Sequence, residues 1–373
     1  RAARDQKIRK RNSLSFLKEL ESYAGRLVTE IVDYRDLSYK KIYRDAGSIR
    51  MLFEDKFRLV PLLKRMSAVA AYIIDEEETL TGKSADVIEA GVVERKLCEM
   101  YRTTDIRALY AQFLLSAGNE PSDVMSGMLD YEDVYPLIYL KNLLCGTEPD
   151  SDIKHLVIDE MQDYTPVQYA LIHRMFTCSM TILGDEAQVM EDAPAALRPV
   201  LSDIFGESAR FITLNKSYRS TFEIASFAGR LIGQTNVTYF ERHGEEPFIG
   251  QYPDSRSMLE ALRDRIAREA DEAETTAIIC RTAAEARAVW EACSPLLTMT
   301  LQTEEDASFH GGITVMPFYL AKGLEFDSVH IPGATKASYH SGLDRQALYI
   351  ACTRALHRLS LYCDGEKSPF LPE

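Results

Sequence analysis

Two adjacent carboxylates, Asp159 and Glu160, come directly after the apolar stretch His155-Leu156-Val157-Ile158 and lead into Met161-Gln162-Asp163. Charged residues directly after a hydrophobic strand stand where ligands bind in open α/β sheets. One carboxylate there can hold a divalent cation while the next orients or deprotonates an attacking water. A bare Asp-Glu pair more often caps a helix or keeps a loop solvated, so its assignment depends on the residues further along the chain.

Four further groups stand downstream of it in order. Thr181-Ile182-Leu183-Gly184-Asp185-Glu186-Ala187-Gln188 is a second strand-like run ending in Gly-Asp, with a Gln three residues on that could sense a phosphate. Leu214-Asn215-Lys216-Ser217-Tyr218-Arg219-Ser220-Thr221 sets an aromatic that could stack on a base beside a guanidinium that could grip phosphate bidentately. Leu320-Ala321-Lys322-Gly323-Leu324-Glu325-Phe326-Asp327 and Ala347-Leu348-Tyr349-Ile350-Ala351-Cys352-Thr353-Arg354-Ala355 complete the set. Each is unremarkable alone.

The elements that must position these groups are legible from texture. Up to about residue 145, Leu17, Leu20 and Ala24, then Leu59, Leu62, Leu63 and Met66, recur at helical spacing. From about 150, β-branched runs alternate with helical stretches, which reads as a parallel sheet covered by helices. Strands are expected at 155–158, 180–183, 211–214, 276–280, 313–316, 329–331 and 359–363, and helices at 255–270 and 345–356. Thr165-Pro166 supplies an N-cap and a first-turn proline for a crossover helix between the first two strands.

Composition narrows the partners. Of 373 residues, 46% are hydrophobic and 27% charged, the balance of a multi-domain globular protein. The net charge of −14 argues against a large phosphate-binding surface, which needs Lys and Arg to neutralise backbone charge. The segment 1–11, with six Lys or Arg, could touch phosphates but is expected to be a solvated helix end. Seven scattered cysteines without a C-x-x-C pair indicate neither disulfides nor zinc, and the histidines show no ligand spacing. The longest apolar run, Val69 to Ile74, is far short of the roughly 20 residues of a membrane span, and no signal-peptide pattern opens the chain. A cytoplasmic location without membrane contact is the expectation.

In this order the five groups resemble blocks II to VI of the UvrD/Rep group of superfamily-1 helicases, over roughly residues 150–363. Residues 131–140 (Tyr-Glu-Asp-Val-Tyr-Pro-Leu-Ile-Tyr-Leu), 316–323 and the ending Ser368-Pro369-Phe370-Leu371-Pro372-Glu373 resemble its HelD or helicase IV branch. The resemblance implies ATP and Mg²⁺ as cofactors. It implies that Asp159 and Glu160 hold the metal and activate water, that Gln188 senses the γ-phosphate, and that Arg219 and Arg354 stabilise its transition-state charge. Tyr218 would stack on adenine, Glu325 would approach the ribose, and Lys322 and Gly323 belong to the same nucleotide-binding set. An arginine supplied as a cleft closes is a sensible trigger, worth about 10³ to 10⁵ in rate.

The pattern also breaks. A P-loop needs G-x-x-x-x-G-K-[S/T] after a strand, and this sequence contains none. Thr81-Gly82-Lys83-Ser84 fails, because Glu77 occupies the first glycine position and the acidic run Asp75 to Glu78 would repel phosphate. Since the P-loop strand precedes block II in the resembled family and the chain starts at Arg1 rather than Met, a fragment or processed chain is expected; a degenerate motor is the alternative. Tyr319 stands where relatives that track single-stranded DNA often carry His, and the short spacing from Tyr218 to Lys322 leaves little room for a large helical insertion.

The expected architecture is α/β, with RecA-like parallel sheets of the P-loop NTPase type, one of them incomplete, plus a helical accessory region. Residues 1–145 would be that helical region, 146–208 the C-terminal part of a first RecA-like domain, and 209–373 a second RecA-like domain. The expected function is the motor portion of an ATP-hydrolysing superfamily-1 DNA helicase or translocase of HelD type. Its partners would be DNA and RNA polymerase, it would act as a monomer, and without a P-loop it would be inactive alone. A conventional DNA-unwinding helicase and a non-catalytic binding module with a helicase fold are the alternatives.

Overall fold

A computed structural model describes residues 2–84, 86–120, 124, 127, 129–148, 152–188, 197–234, 238–269, 273–306 and 311–372. Arg1, Ala270 and Glu373, which fall within segments singled out above, lie outside the described residues. The chain divides into two compact units, 1–184 with 198–209, and 185–197 with 210–373.

The N-terminal unit is mostly helical: α1 (Ala2–Arg11), α2 (Leu14–Glu30), α3 (Ala46–Met51), α4 (Arg65–Thr81), α5 (Val87–Cys98), α6 (Ile106–Ser116), α7 (Tyr131–Cys145), α8 (Pro166–Met175) and most of α9 (Leu197–Phe205). A small antiparallel pair, β1 (Leu37–Tyr39) and β2 (Ile42–Arg44), interrupts them. One apolar core joins Phe16 and Leu20 of α2, Val69 and Ile73 of α4, Tyr110 and Phe113 of α6, and Leu140 and Leu144 of α7. Val167 and Leu171 of α8 belong to the same core, so the crossover helix packs with the helical region.

The basic opening segment is not simply solvated. Arg11 is buried, donating to the Asp133 carboxylate and to Tyr110 Oη, and Lys7 pairs with Asp130. The physical reason is the start of α7, where Glu132 and Asp133 are buried and require compensating cations. Two of the basic side chains are thereby engaged on the protein. Thr81-Gly82-Lys83-Ser84 is a helix end: Gly82 caps α4 with φ 68° in the left-handed region, and it is this helix, not a strand, that leads into it.

Two strands, β3 (His155–Ile158) and β4 (Ser179–Ile182), pair in parallel around α8. Parallel strands are normally covered on both faces. Here Val157 is 61% exposed.

The C-terminal unit carries β5 (Lys216–Ser217) paired in parallel with β6 (Thr238–Tyr239), and a six-stranded parallel sheet. The sheet comprises β7 (Phe248–Gln251), β8 (Thr275–Cys280), β9 (Thr300–Leu301), β10 (Gly312–Pro317), β11 (Phe326–Ile331) and β12 (Ala355–Cys363), in the order β7-β12-β11-β8-β10-β9. Successive residues of a strand face opposite sides, and both sides are filled. Ala277 and Ile279 pack in one cluster with α10 (Phe222–Leu231) and α13 (Gly342–Cys352), whereas Ile278 and Cys280 pack in another with α11 (Ser255–Glu269) and α12 (Ala283–Cys293). Double coverage explains why these strands read as continuous apolar runs.

Two expectations change. Residues 211–214 form no strand, and Ile212 and Leu214 are exposed; the short strand of this region is β5, just beyond them. The last helix runs Gly342–Cys352 rather than 345–356, because Ser341 and Asp344 form a capping box that starts it early and β12 begins at Ala355. The seven cysteines are free thiols, with Cys280, Cys293, Cys352 and Cys363 buried as small apolar groups.

Candidate functional site

In the N-terminal unit, Asp159 and Glu160 stand at the carboxyl end of β3 on a loop built by main-chain bonds. Leu183 N donates to Ile158 O at 2.8 Å, and Met161 N donates to Leu183 O at 2.8 Å. Tyr169 Oη of α8 donates to Met161 O at 2.7 Å. The end of β4 and the crossover helix therefore grip the residue after the acidic pair. A Cβ on Gly184 would lie 2.6 Å from Met161 N and 2.5 Å from Gln162 Oε1, so only glycine lets the two strand ends approach.

Glu160 has φ 51° and ψ 51°, a left-handed conformation that costs a residue with a Cβ about 1–2 kcal/mol. Its amide donates to Asp159 Oδ1 at 2.8 Å, and its carboxylate accepts from the Gln162 amide. The backbone is thus bent where the two carboxylates emerge, Asp159 exposed and Glu160 half-buried. Among the described residues no group of three or more His, Cys, Asp or Glu could form a metal cage. Two strand-end carboxylates still suit Mg²⁺, which keeps several waters and takes one or two carboxylates plus substrate phosphates.

In the C-terminal unit the structure brings Gln188 and Arg354 together although 166 positions separate them. Arg354 Nη2 donates to Gln188 Oε1 at 3.1 Å, and Gln188 Nε2 donates to Asp185 Oδ2 at 3.0 Å. This sets the Gln188 amide, its nitrogen on the carboxylate and its oxygen on the guanidinium. Arg354 is 1% exposed and also donates to Ile350 O, Leu324 O and Thr353 Oγ1. Such a charge persists in a buried place because its hydrogen-bonding groups are satisfied. Burial, with the nearby Asp185 carboxylate, pushes the Tyr349 hydroxyl well above its ordinary range, so it remains a neutral donor.

Arg219 is held differently. Its Nε donates to Glu325 Oε1 at 2.7 Å, and both side chains are exposed, so the pair contributes only about 0–1 kcal/mol and opens readily. The segment behind it is firmly anchored: Ser220 Oγ donates to Ala355 O at 2.7 Å, Thr221 N to Leu356 O at 3.2 Å, and Arg242 Nη2 to Arg219 O at 2.6 Å. Tyr218 is 59% exposed. Lys322 precedes Gly323, whose φ of 78° turns the chain from the end of β10 toward Glu325.

Sequence reasoning missed Phe240 and Arg242, which contact Tyr218 and the Arg219 carbonyl. They are brought there by a tight turn at Glu241, where Arg242 N donates to Phe240 O at 2.8 Å, and no local sequence signal marked them. It also missed two buried polar centres. Arg281 Nε donates to Asp344 Oδ1 at 2.8 Å; against the cost of burial, the Ser341 hydroxyl and amide and then Arg281 hold the Asp344 carboxyl at about 2. His330 is buried with Tyr362, Ser328 and Glu269, and burial holds its imidazole below the usual range.

Residues 312–362, spanning β10 to nearly the end of β12, match the family model of the UvrD-like helicase C-terminal domain. The C-terminal domain of a possible DNA helicase from Lactobacillus plantarum WCFS1 shares 34% identity, over 41% of this chain and 91% of that one, with a TM-score of 0.36. Through this domain the chain belongs to the UvrD-like helicases of superfamily 1. The PRRSV helicase matches at 15% identity over 56% of this chain, with a TM-score of 0.31, and an arterivirus nonstructural protein 10 helicase in complex with DNA at 14% over 56%, with a TM-score of 0.29. The chain covers 34% and 39% of those two chains. No curated protein matches the sequence. No helix among the described residues is long and apolar enough to cross a membrane.

Proposed function

We propose that the chain is the motor portion of an ATP-dependent superfamily-1 DNA helicase or translocase. The observation that carries this reading is the hydrogen-bonded line Asp185–Gln188–Arg354, in the unit that holds the matched UvrD-like segment. In this reading residues 209–373 are a second RecA-like domain, 146–208 the end of a first, and 1–145 a helical accessory region. Asp159 and Glu160 would hold Mg²⁺, which would supply charge neutralisation for the terminal phosphates. Glu160 orients the attacking water and accepts its proton. Gln188 reports the γ-phosphate to Arg354 through the bond they share. Arg219 leaves its weak pair with Glu325 to meet phosphate charge, and Glu325 is then free to accept from a ribose hydroxyl. Tyr218 offers its exposed ring to the base, and Lys322 and Gly323 form the turn beside it.

The partner in this proposal is RNA polymerase bound to DNA, as in the HelD branch, with the protein a cytoplasmic monomer. A net charge of −14 disfavours a long phosphate track. Leu80 at the end of α4, and Val87 and Ile88 at the start of α5, are exposed apolar residues at successive helix ends, suited to a protein surface. Strong, salt-dependent affinity for single-stranded DNA would favour a conventional helicase instead.

The test is Mg²⁺-dependent ATP turnover by the protein expressed from its whole reading frame. Glu160→Gln and Arg354→Ala are each expected to lower kcat by about 10² or more with the fold retained. Unchanged turnover in either variant removes that residue from the site. The 373-residue chain, which carries no G-x-x-x-x-G-K-[S/T], is expected to show no turnover above background. Turnover by it that Glu160→Gln abolishes would overturn that expectation.

A further inference from the structure

The nucleotide reading uses Tyr218 and leaves the ring beside it without a role. Phe240 is 45% exposed, and its centroid lies 5.4 Å from that of Tyr218 with the planes at 36°. Lys216 Nζ lies 5.4 Å from the Tyr218 centroid and 5.8 Å from the Phe240 centroid, so one ammonium serves both rings. Packing the rings on each other accounts for their contact. Each ring still keeps about half of its surface in water, so the pair remains open to a flat ligand.

The main chain builds this arrangement. Lys216 pairs with Thr238 and Ser217 with Tyr239, and the ladder extends one step further as Phe240 N donates to Ser217 O at 3.0 Å. Two residues on, Arg242 donates to Arg219 O. The chain turns between them, with Arg242 N donating to Phe240 O at 2.8 Å, so the segment 238–242 contacts Tyr218 through Phe240 and the Arg219 carbonyl through Arg242. It backs the whole Tyr218-Arg219 step.

We propose that Phe240 and Lys216 complete, with Tyr218, a stacking platform for the base of a purine nucleoside triphosphate. The platform holds the base through its π face and does not distinguish adenine from guanine, because every base offers such a face. This inference rests on the reading of Tyr218 as the base contact.

The experiment titrates ATP, GTP and inorganic tripolyphosphate into the 373-residue chain, following purine proton and phosphorus resonances. ATP and GTP are expected to bind within about threefold of each other, Phe240→Ala to weaken both about tenfold, and Phe240→Trp to restore them. Tripolyphosphate affinity should not move. If Phe240→Ala weakens tripolyphosphate as much as ATP, Phe240 is scaffold only and the proposal falls. If ATP binding falls in Tyr218→Ala but not in Phe240→Ala, or GTP binds more than tenfold more weakly than ATP, the proposal falls and the Tyr218 reading stands. If the chain binds no ATP, the proposal falls, and the Tyr218 reading is decided separately by whether Tyr218→Ala raises the KM for ATP in the protein expressed from its whole reading frame.

Discussion

Glu160 and Gly184, just beyond the ends of the paired strands β3 and β4, carry opposite backbone demands. Glu160 keeps a side chain where the left-handed conformation favours glycine, and Gly184 lacks one where Met161 and Gln162 fill the space. Strain of this kind persists where the side chain is needed and its surroundings over-determine it. Glu160→Gly should therefore be at least as resistant to urea as the parent chain, since relief of the strain offsets the lost hydrogen bond to Gln162. Gly184→Ala should be destabilised by about 1–3 kcal/mol, because a Cβ there meets a backbone nitrogen that cannot step aside. A Glu160→Gly midpoint well below the parent's would show that the loop is unstrained.

At the scale of elements, α8 is the piece that fixes the acidic loop, through its Val167 and Leu171 in the core and its Tyr169 hydroxyl on Met161. Its start is specified by Thr165, which accepts from Gln168 N while the Gln168 side chain accepts from Thr165 N. Thr165→Ala should cost about 1 kcal/mol in urea unfolding, and Thr165→Ser much less. Equal losses would mean that the cap contributes nothing through its hydroxyl. The Thr165-Pro166 start was legible in sequence because capping is local. The end of α13 was not, since the switch from helix to strand at Ala355 is set by pairing with β11 and by the Arg354 carbonyl accepting from Phe326 N. Residues 211–214 misled for a related reason: β-branched and apolar residues make a strand only where a neighbouring strand receives them.

Across the whole molecule, stability should respond to pH through the buried centre under α11. His330 faces Ser328 of its own strand, Tyr362 of β12, and Glu269 of α11, with Arg265 pairing to Glu269. Burial lowers the imidazole from its ordinary 6.5, so the unfolded chain binds the proton more readily than the folded one. That contribution is present above pH of about 6.5 and is lost as pH falls through the lower folded value. Burial would raise the Glu269 carboxyl, but His330, Ser328 and Arg265 outweigh it and hold it at about 2; its contribution fades below about 4.5. Tm should therefore decline from pH 7 to pH 5, and the decline should be shallower in His330→Gln. A parallel decline in that variant would assign the effect to other groups.

The sequence by itself determined the order of the motifs, the α/β texture after residue 150, most of the sheet strands, and the capped start of α8 at Thr165-Pro166. These depend on periodicity and on steric rules acting within a few residues. Only the tertiary structure decided which side chains meet: Gln188 with Arg354, Arg219 with Glu325, Phe240 with Tyr218, Arg11 with Asp133, and His330 with Glu269. Each pair joins positions far apart in the chain, and the partner of a buried charge or an exposed ring is chosen by strand order and helix packing. Asp159-Glu160 could be picked out from its place after an apolar run, whereas the bent backbone at Glu160 and the close approach of Gly184, just beyond the neighbouring strand, to Met161 are visible only in the structure.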